Sequence, residues 1–324
     1  MAIRRAVVAA AGLGTRLRPL TGRWAKPALP FLGRPLLHRV FEALEGAGVR
    51  EVCLNLHHRP STVLEAARRY GGPLRLRWFY EPEIRGTAGL LPPMARALGE
   101  EPFFVVNGDT LGRPPLASLD AALEADGEAL LTLAVRPLRP PFTPLSVDGR
   151  GRVTALGTGG HHFAGAYAAR PGALAAVPPE GFAGFVETVL SPAIAQGRVL
   201  AVPADGPWED LGTPGAFLTA ALAALSGEGD FSVPPEAEVR RCDDFPVFLH
   251  RDGLLHPGAE VTGPLVVEAG AVVPRGARAG RAVLFPGFRG REGERLEDGL
   301  FWPGGRIEVP GTEAVGSCLS KKSC

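Results

Sequence analysis

Apolar residues in the first two hundred positions fall into short runs that alternate with longer stretches of helical period. Ala6–Ala11, Glu51–Leu56, Leu74–Tyr80, Phe103–Val106, Ala129–Val135 and Arg198–Val202 read as strands. Pro35–Ala47, stopped by Gly48, and Ser61–Tyr70, with Ser61 as N-cap, read as helices; so do Thr87–Leu98, Leu116–Ala125, Phe185–Gln196 and Thr213–Leu225. Strands separated by helices of this length predict an α/β fold with a mostly parallel, Rossmann-like sheet covered by helices on both faces. Between Pro137 and Arg170 the pattern loosens around Asp148-Gly149, where a hairpin is expected. Ser226–Asp230 reads as a linker.

Beyond the linker the period becomes six. Leu249, Leu255, Val261, Val267, Val273, Ala279 and Phe285 recur at that interval, with Gly258, Gly270 and Gly276 at a fixed phase. Seven matches of this kind predict a short left-handed parallel β-helix of two or three coils. The expected organisation is one domain over 1–228, a β-helix over 229–312 and a disordered tail over 313–324.

Composition narrows the function. The 324 residues carry 35 basic and 34 acidic side chains, so no global charge favours nucleic acid or a membrane surface. No apolar run approaches the roughly 20 residues of a membrane span, and the short Val7–Gly12 run followed by arginines is not a signal peptide. Cys53, Cys242, Cys318 and Cys324 show no metal-binding spacing, which points to a cytoplasmic protein with reduced thiols.

The positive charge is local instead. The first apolar run releases into Gly12-Leu13-Gly14-Thr15, and Arg16, Arg18, Arg23 and Lys26 follow closely. A glycine turn beyond a strand exposes backbone N–H groups, and clustered cations there point to a ligand with several phosphates. This is not a P-loop, because no Gly-Lys-Ser/Thr follows, and the second strand ends Leu54-Asn55-Leu56 without the carboxylate that a dinucleotide fold needs. Asp109, just past a buried strand, and Asp210, in a turn before a helix, are candidate ligands for Mg²⁺; each would equally serve as a turn cap.

Four motifs in order carry a family resemblance. Gly12-Leu13-Gly14-Thr15-Arg16-Leu17 with Lys26-Pro27 resembles the phosphate-binding segment of the sugar-1-phosphate nucleotidyltransferases. Glu81-Pro82 with Gly86-Thr87-Ala88-Gly89 resembles their nucleoside loop, and Asn107-Gly108-Asp109 their metal-binding strand end. Phe185-Val186-Glu187 with Trp208-Glu209-Asp210-Leu211-Gly212-Thr213-Pro214 resembles their closing segment. The resemblance spans residues 3 to about 225 and implies Mg-dependent transfer of a nucleoside monophosphate from a triphosphate to a sugar 1-phosphate, releasing pyrophosphate. It implies Arg16, Lys26, Asp109 and Asp210 as catalytic residues, the two aspartates as metal ligands, and nucleotide contacts from Ala10, Gly12, Leu13, Gly14, Thr15, Arg16, Glu81, Gly86, Thr87, Ala88, Asn107 and Gly108. Lys26, Gly165, Glu187 and His162 are the implied sugar-phosphate contacts.

The nucleoside loop is most similar to the mannose-1-phosphate guanylyltransferase branch, where Glu81 would accept the N1–H and amino group of guanine. GTP and mannose 1-phosphate are therefore the expected substrates. The sugar side departs from the family, since no Glu-Lys-Pro follows Val153. His161-His162-Phe163-Ala164-Gly165 with Tyr167 is instead similar to short uridylyltransferases acting on N-acetylmuramate 1-phosphate, and either histidine is a candidate for the missing cation. Uridylyl or thymidylyl transfer to another sugar 1-phosphate thus stays open, as does a non-catalytic regulatory homologue. An acyltransferase tail using His250 or His256 is disfavoured by the short repeat. The tail is expected to serve packing or homo-oligomer formation.

Overall fold

The computed structural model describes residues 2–227 and 233–310. Two compact units divide between Gly212 and Thr213. The expected tail over 313–324, with Cys318 and Cys324, lies outside the described residues, as does most of the expected linker.

The first unit is mixed α/β around a nine-stranded sheet. Its central strands are parallel: Phe103–Asn107 pairs with Arg5–Ala9, which pairs with Glu51–Leu56, followed by Arg75–Tyr80 at the edge. His161–Ala169 joins the other side of Phe103–Asn107 antiparallel and connects it to Leu131–Pro137. Leu145–Val147 and Val153–Leu156 form the expected hairpin around Asp148. Alternate residues of one strand enter opposite cores: Val8 and Val106 pack beneath one face with Val40 and Phe41, Val7 and Val105 beneath the other with Met94 and Leu133. Both cores exclude solvent, so these strands read as continuous apolar runs.

Several local readings shift for identifiable reasons. Ser61 is not a cap: the helix runs Pro60–Arg68, with Pro60 in the first turn and Arg59 before it in the left-handed conformation. The expected helix Thr87–Leu98 is two pieces, Gly86–Gly89 and Leu91–Leu98. Phe185–Gln196 becomes a π-turn, Val186–Leu190, leading into Ser191–Ala195. Pro192 lacks the N–H that would continue an α-helical ladder across that junction.

The second unit begins with the helix Pro214–Leu225, whose N-cap Thr213 accepts from the Ala216 N–H at 3.2 Å. The rest is strand-rich. Segments 247–249, 265–267, 282–284 and 299–301 stack in parallel, and so do shorter segments at 254–255 with 272–273 and at 260–261 with 278–279. The first turn of this stack advances 18 residues, Leu249 to Val267, and the next 17, Val267 to Leu284. Phe285 therefore stands one place past the residue above Val267, although it keeps the six-residue period. His250 and His256 each accept, through Nδ1, a backbone N–H two residues on, from Asp252 and Gly258; they brace turns.

Candidate active site

The C-terminal ends of the parallel strands open into a cleft of about 490 Å³. The chain leaves Arg5–Ala9 and turns at Gly14, where φ is +59°. A Cβ at Gly14 would lie 2.8 Å from Thr21 Cγ2, so glycine is demanded by both conformation and space. Thr21, fully buried, donates its hydroxyl to the Gly14 carbonyl at 2.8 Å and closes the turn. A 3₁₀ turn, Thr15–Leu17, then presents Arg16, which stays largely exposed beside the cleft.

Lys26 sits in a later 3₁₀ turn, Lys26–Ala28, stiffened by Pro27. Its ammonium is 3.0 Å from Asp109 Oδ2 and 3.0 Å from Asp210 Oδ1, and its side chain is only 7% exposed. The two aspartates meet through strand register. Thr110–Gly112 pairs antiparallel with Trp208–Asp210, and Asp210 lies opposite Thr110, the residue after Asp109. Arg16 Nη2 reaches Asp210 Oδ2 at 3.4 Å. A buried ammonium needs such compensation, and here two carboxylates supply it.

Asp109 and Asp210 are about 30% exposed, and Asp109 lines the cleft with Lys26. No cluster of three or more metal-ligating side chains occurs among the described residues. A pair of hard carboxylate oxygens nevertheless fits Mg²⁺, which keeps several waters and shares phosphate oxygens. The cation already lodged between them, Lys26, marks a place where positive charge is favourable.

Beneath the Glu81–Gly89 segment lies a buried relay. The Ala10 N–H donates to Asn55 Oδ1 at 2.6 Å, Asn55 Nδ2 donates to Glu81 Oε1 at 2.9 Å, and Glu81 Oε2 accepts from the Arg85 N–H at 3.0 Å. Glu81 is 4% exposed and lines the cleft with one edge. The Gly86–Gly89 turn is clamped from outside: the Ala88 N–H donates to the Ala183 carbonyl at 2.9 Å, and Thr87 Oγ1 accepts from the Phe185 N–H at 2.9 Å.

Of the residues singled out from sequence, Gly12, Leu13, Gly14, Thr15, Arg16, Lys26, Glu81, Gly86, Thr87, Asn107 and Asp109 all line this one cleft. Ala10, Ala88 and Gly108 do not line it but adjoin residues that do, Ala9, Thr87 and Asn107; the Gly108 N–H donates to the Ala9 carbonyl at 2.9 Å. Gly165, with φ +81°, rests against Asn107 and Thr110, where an added Cβ would come within 3.1 Å of both side chains. Glu187 stands exposed on the π-turn, folded over Gly184. His162 does not line the cleft. It is buried, stacked on Phe142 with ring centroids 4.6 Å apart and flanked by Trp208, and neither ring nitrogen has a hydrogen-bond partner. Burial holds its imidazole pKa below the ordinary value.

Compared with known proteins, residues 5–156 match the model of the nucleotidyl transferase family. A mannose-1-phosphate guanylyltransferase of Mycobacterium tuberculosis is 30% identical over 305 residues, covering 90% of this chain and 82% of that protein. The chain belongs to the sugar-1-phosphate nucleotidyltransferase family. A mannose-1-phosphate guanyltransferase of Aspergillus fumigatus is 29% identical over 251 residues, covering 72% and 68% respectively. Mannose-1-phosphate guanylyltransferase 1 of Arabidopsis thaliana is 28% identical over 302 residues, covering 88% and 82%. The protein is thus an enzyme, a sugar-1-phosphate nucleotidyltransferase, and no described helix is long and apolar enough to cross a membrane.

In this nucleotidyltransferase the sequence reading passed over Asn55 and Gly212, both of which line the cleft. Asn55 had a signal, being the single polar residue of an otherwise apolar strand interior, Val52–Leu56. Gly212 had none beyond its place in the closing motif.

Proposed function

We propose that the enzyme transfers GMP from GTP to mannose 1-phosphate, giving GDP-mannose and pyrophosphate. The observation that carries the reading is the Lys26 ammonium bridging Asp109 and Asp210 beside the Gly12–Arg16 turn. The sugar-phosphate oxygen attacks the α-phosphorus, and pyrophosphate departs in line without a covalent intermediate. Catalysis then consists of positioning and charge neutralisation. Backbone N–H groups of Leu13–Thr15 cradle the triphosphate, and Arg16 holds the departing β- and γ-phosphates. Lys26 neutralises charge that builds on the α-phosphate. Asp109 and Asp210 would hold Mg²⁺, which would supply further neutralisation of phosphate charge.

The names of the relatives support guanine and mannose. Each Glu81 oxygen already has one partner, in Asn55 and in the Arg85 N–H, and retains a second lone pair; a guanine edge would share this carboxylate. Gly165 and Glu187 are assigned to the sugar side. A phosphate role for His162 would require its ring to leave the stack with Phe142, so Lys26 is the better cation for that phosphate. The reading further assigns 1–228 as the catalytic domain, 229–312 as a left-handed β-helix used for packing or homo-oligomer formation, and the cytoplasm as the compartment. The parallel rungs of 17 and 18 residues support the β-helix.

Pyrophosphate release with Mg²⁺ tests the proposal. GTP, UTP, dTTP and CTP are crossed with the 1-phosphates of mannose, glucose, N-acetylglucosamine and N-acetylmuramate, with Asp109→Asn as control. Turnover confined to GTP with mannose 1-phosphate and abolished in the control is expected. Turnover in another cell reassigns the substrates, and silence throughout by folded protein favours a regulatory homologue.

A further inference from the structure

Gly212 is a glycine whose backbone does not explain it. Its φ is not in the left-handed region, so any residue could adopt its conformation. What it lacks is room. The three atoms nearest to an added Cβ all belong to one side chain: Arg16 Nη2, Cζ and Nη1, at 2.5, 2.8 and 3.0 Å. The Arg16 guanidinium therefore lies directly over the bare Cα of Gly212. The platform beneath it is firm, because Leu211 is fully buried and Asp210 is paired into the ribbon with Thr110.

Arg16 has few other restraints. Its side chain is 62% exposed, and among the described residues its polar contact is a single long pairing with Asp210 at 3.4 Å. A flexible, well-hydrated arginine held by one such contact samples many rotamers. The flat face of Gly212 removes some of that freedom by letting the guanidinium settle against the closing segment at the cleft wall.

We infer that Gly212 is a positioning residue that sets where Arg16 meets the leaving pyrophosphate. This rests on the role assigned above to Arg16. Ordinary carbon contacts begin at about 3.5 Å, so a methyl group at 212 must push the guanidinium away by roughly 1 Å. A displacement of that size weakens a charge-assisted phosphate contact without touching the fold.

Inorganic pyrophosphate is the probe, since it is independent of the base and of the sugar. Its affinity is measured by calorimetry in the wild type, Arg16→Ala, Gly212→Ala and the double variant, each checked by thermal melting. Arg16→Ala is expected to weaken binding about tenfold, a charge-assisted contact's worth. Gly212→Ala is expected to weaken it severalfold, and the double variant to bind no worse than Arg16→Ala. Affinities in Gly212→Ala equal to the wild type, or effects of the two substitutions that multiply, overturn the inference. No loss in Arg16→Ala overturns the Arg16 assignment itself, and this inference falls with it. If Gly212→Ala melts early, the double variant, in which the clashing side chain is gone, must recover the wild-type melting temperature; failure to recover also overturns the inference.

Discussion

Lys26→Met removes the only positive group within 3.0 Å of both Asp109 and Asp210 among the described residues. Methionine keeps most of the buried stem's packing, so the loss is chiefly electrostatic. Deleting one partner of a fully buried ion pair costs about 3–5 kcal/mol, whereas an exposed pair is worth about 0–1. The lysine is buried but its partners are 31% and 27% exposed, which places the cost between those limits. We take about 2–3 kcal/mol, which for a unit of this size lowers the melting temperature by roughly 4–12 °C. The variant leaves two carboxylates facing each other with less compensation. Mg²⁺ or Mn²⁺ should therefore raise its melting temperature more than that of the wild type, following ordinary ligand linkage. Replacing Asp210 by Asn in the variant should recover part of the loss without metal. Differential scanning fluorimetry on nucleotide-free protein, with and without excess divalent cation, reads all three effects. A metal-free variant melting within about 1 °C of the wild type would refute the electrostatic account of Lys26.

Three other outcomes follow from the same geometry. Asn55→Ala strips a partner from both the Ala10 N–H and Glu81, and unpaired buried groups cost about 1–3 kcal/mol each; melting should fall by several degrees and GTP affinity with it, and wild-type behaviour in both would show that the relay carries no weight. His162→Phe keeps the stack on Phe142 and removes two unpartnered buried nitrogens, so stability should hold or rise; a tenfold rise in the KM for sugar 1-phosphate would instead make His162 a phosphate ligand. Burial pushes the Cys53 thiol from its ordinary 9.0 up to about 11, so native protein at pH 8 should leave Cys53 unalkylated by iodoacetamide, as peptide mass spectrometry will report. Its proton also adds stability that is complete below pH 9 and is lost as pH rises through about 11, because the unfolded chain releases the proton first.

What depends on near neighbours is legible in the chain. Apolar runs such as Phe103–Val106 declared buried strands, and Gly12–Thr15 declared a tight glycine turn, which lines the cleft. The six-residue period announced a strand-rich second unit, in which 247–249, 265–267 and 282–284 stack in parallel. Most of the candidate cleft was legible for the same reason, since its glycines and charges lie in short local motifs. Tertiary structure decided the rest. Asp109 and Asp210 come together because Thr110–Gly112 and Trp208–Asp210 pair in one register, and no local pattern specifies that register. Asn55 acquires its role only when Ala10 and Glu81 arrive on either side of it. His162, in a sequence a plausible cation, is sealed between Phe142 and Trp208, where burial favours the neutral ring. Gly212 matters only through the side chain that folding lays across it. Chain-local rules describe where backbone turns and which faces are apolar; partners distant in sequence are chosen by packing, and the charges of this cleft depend on those partners.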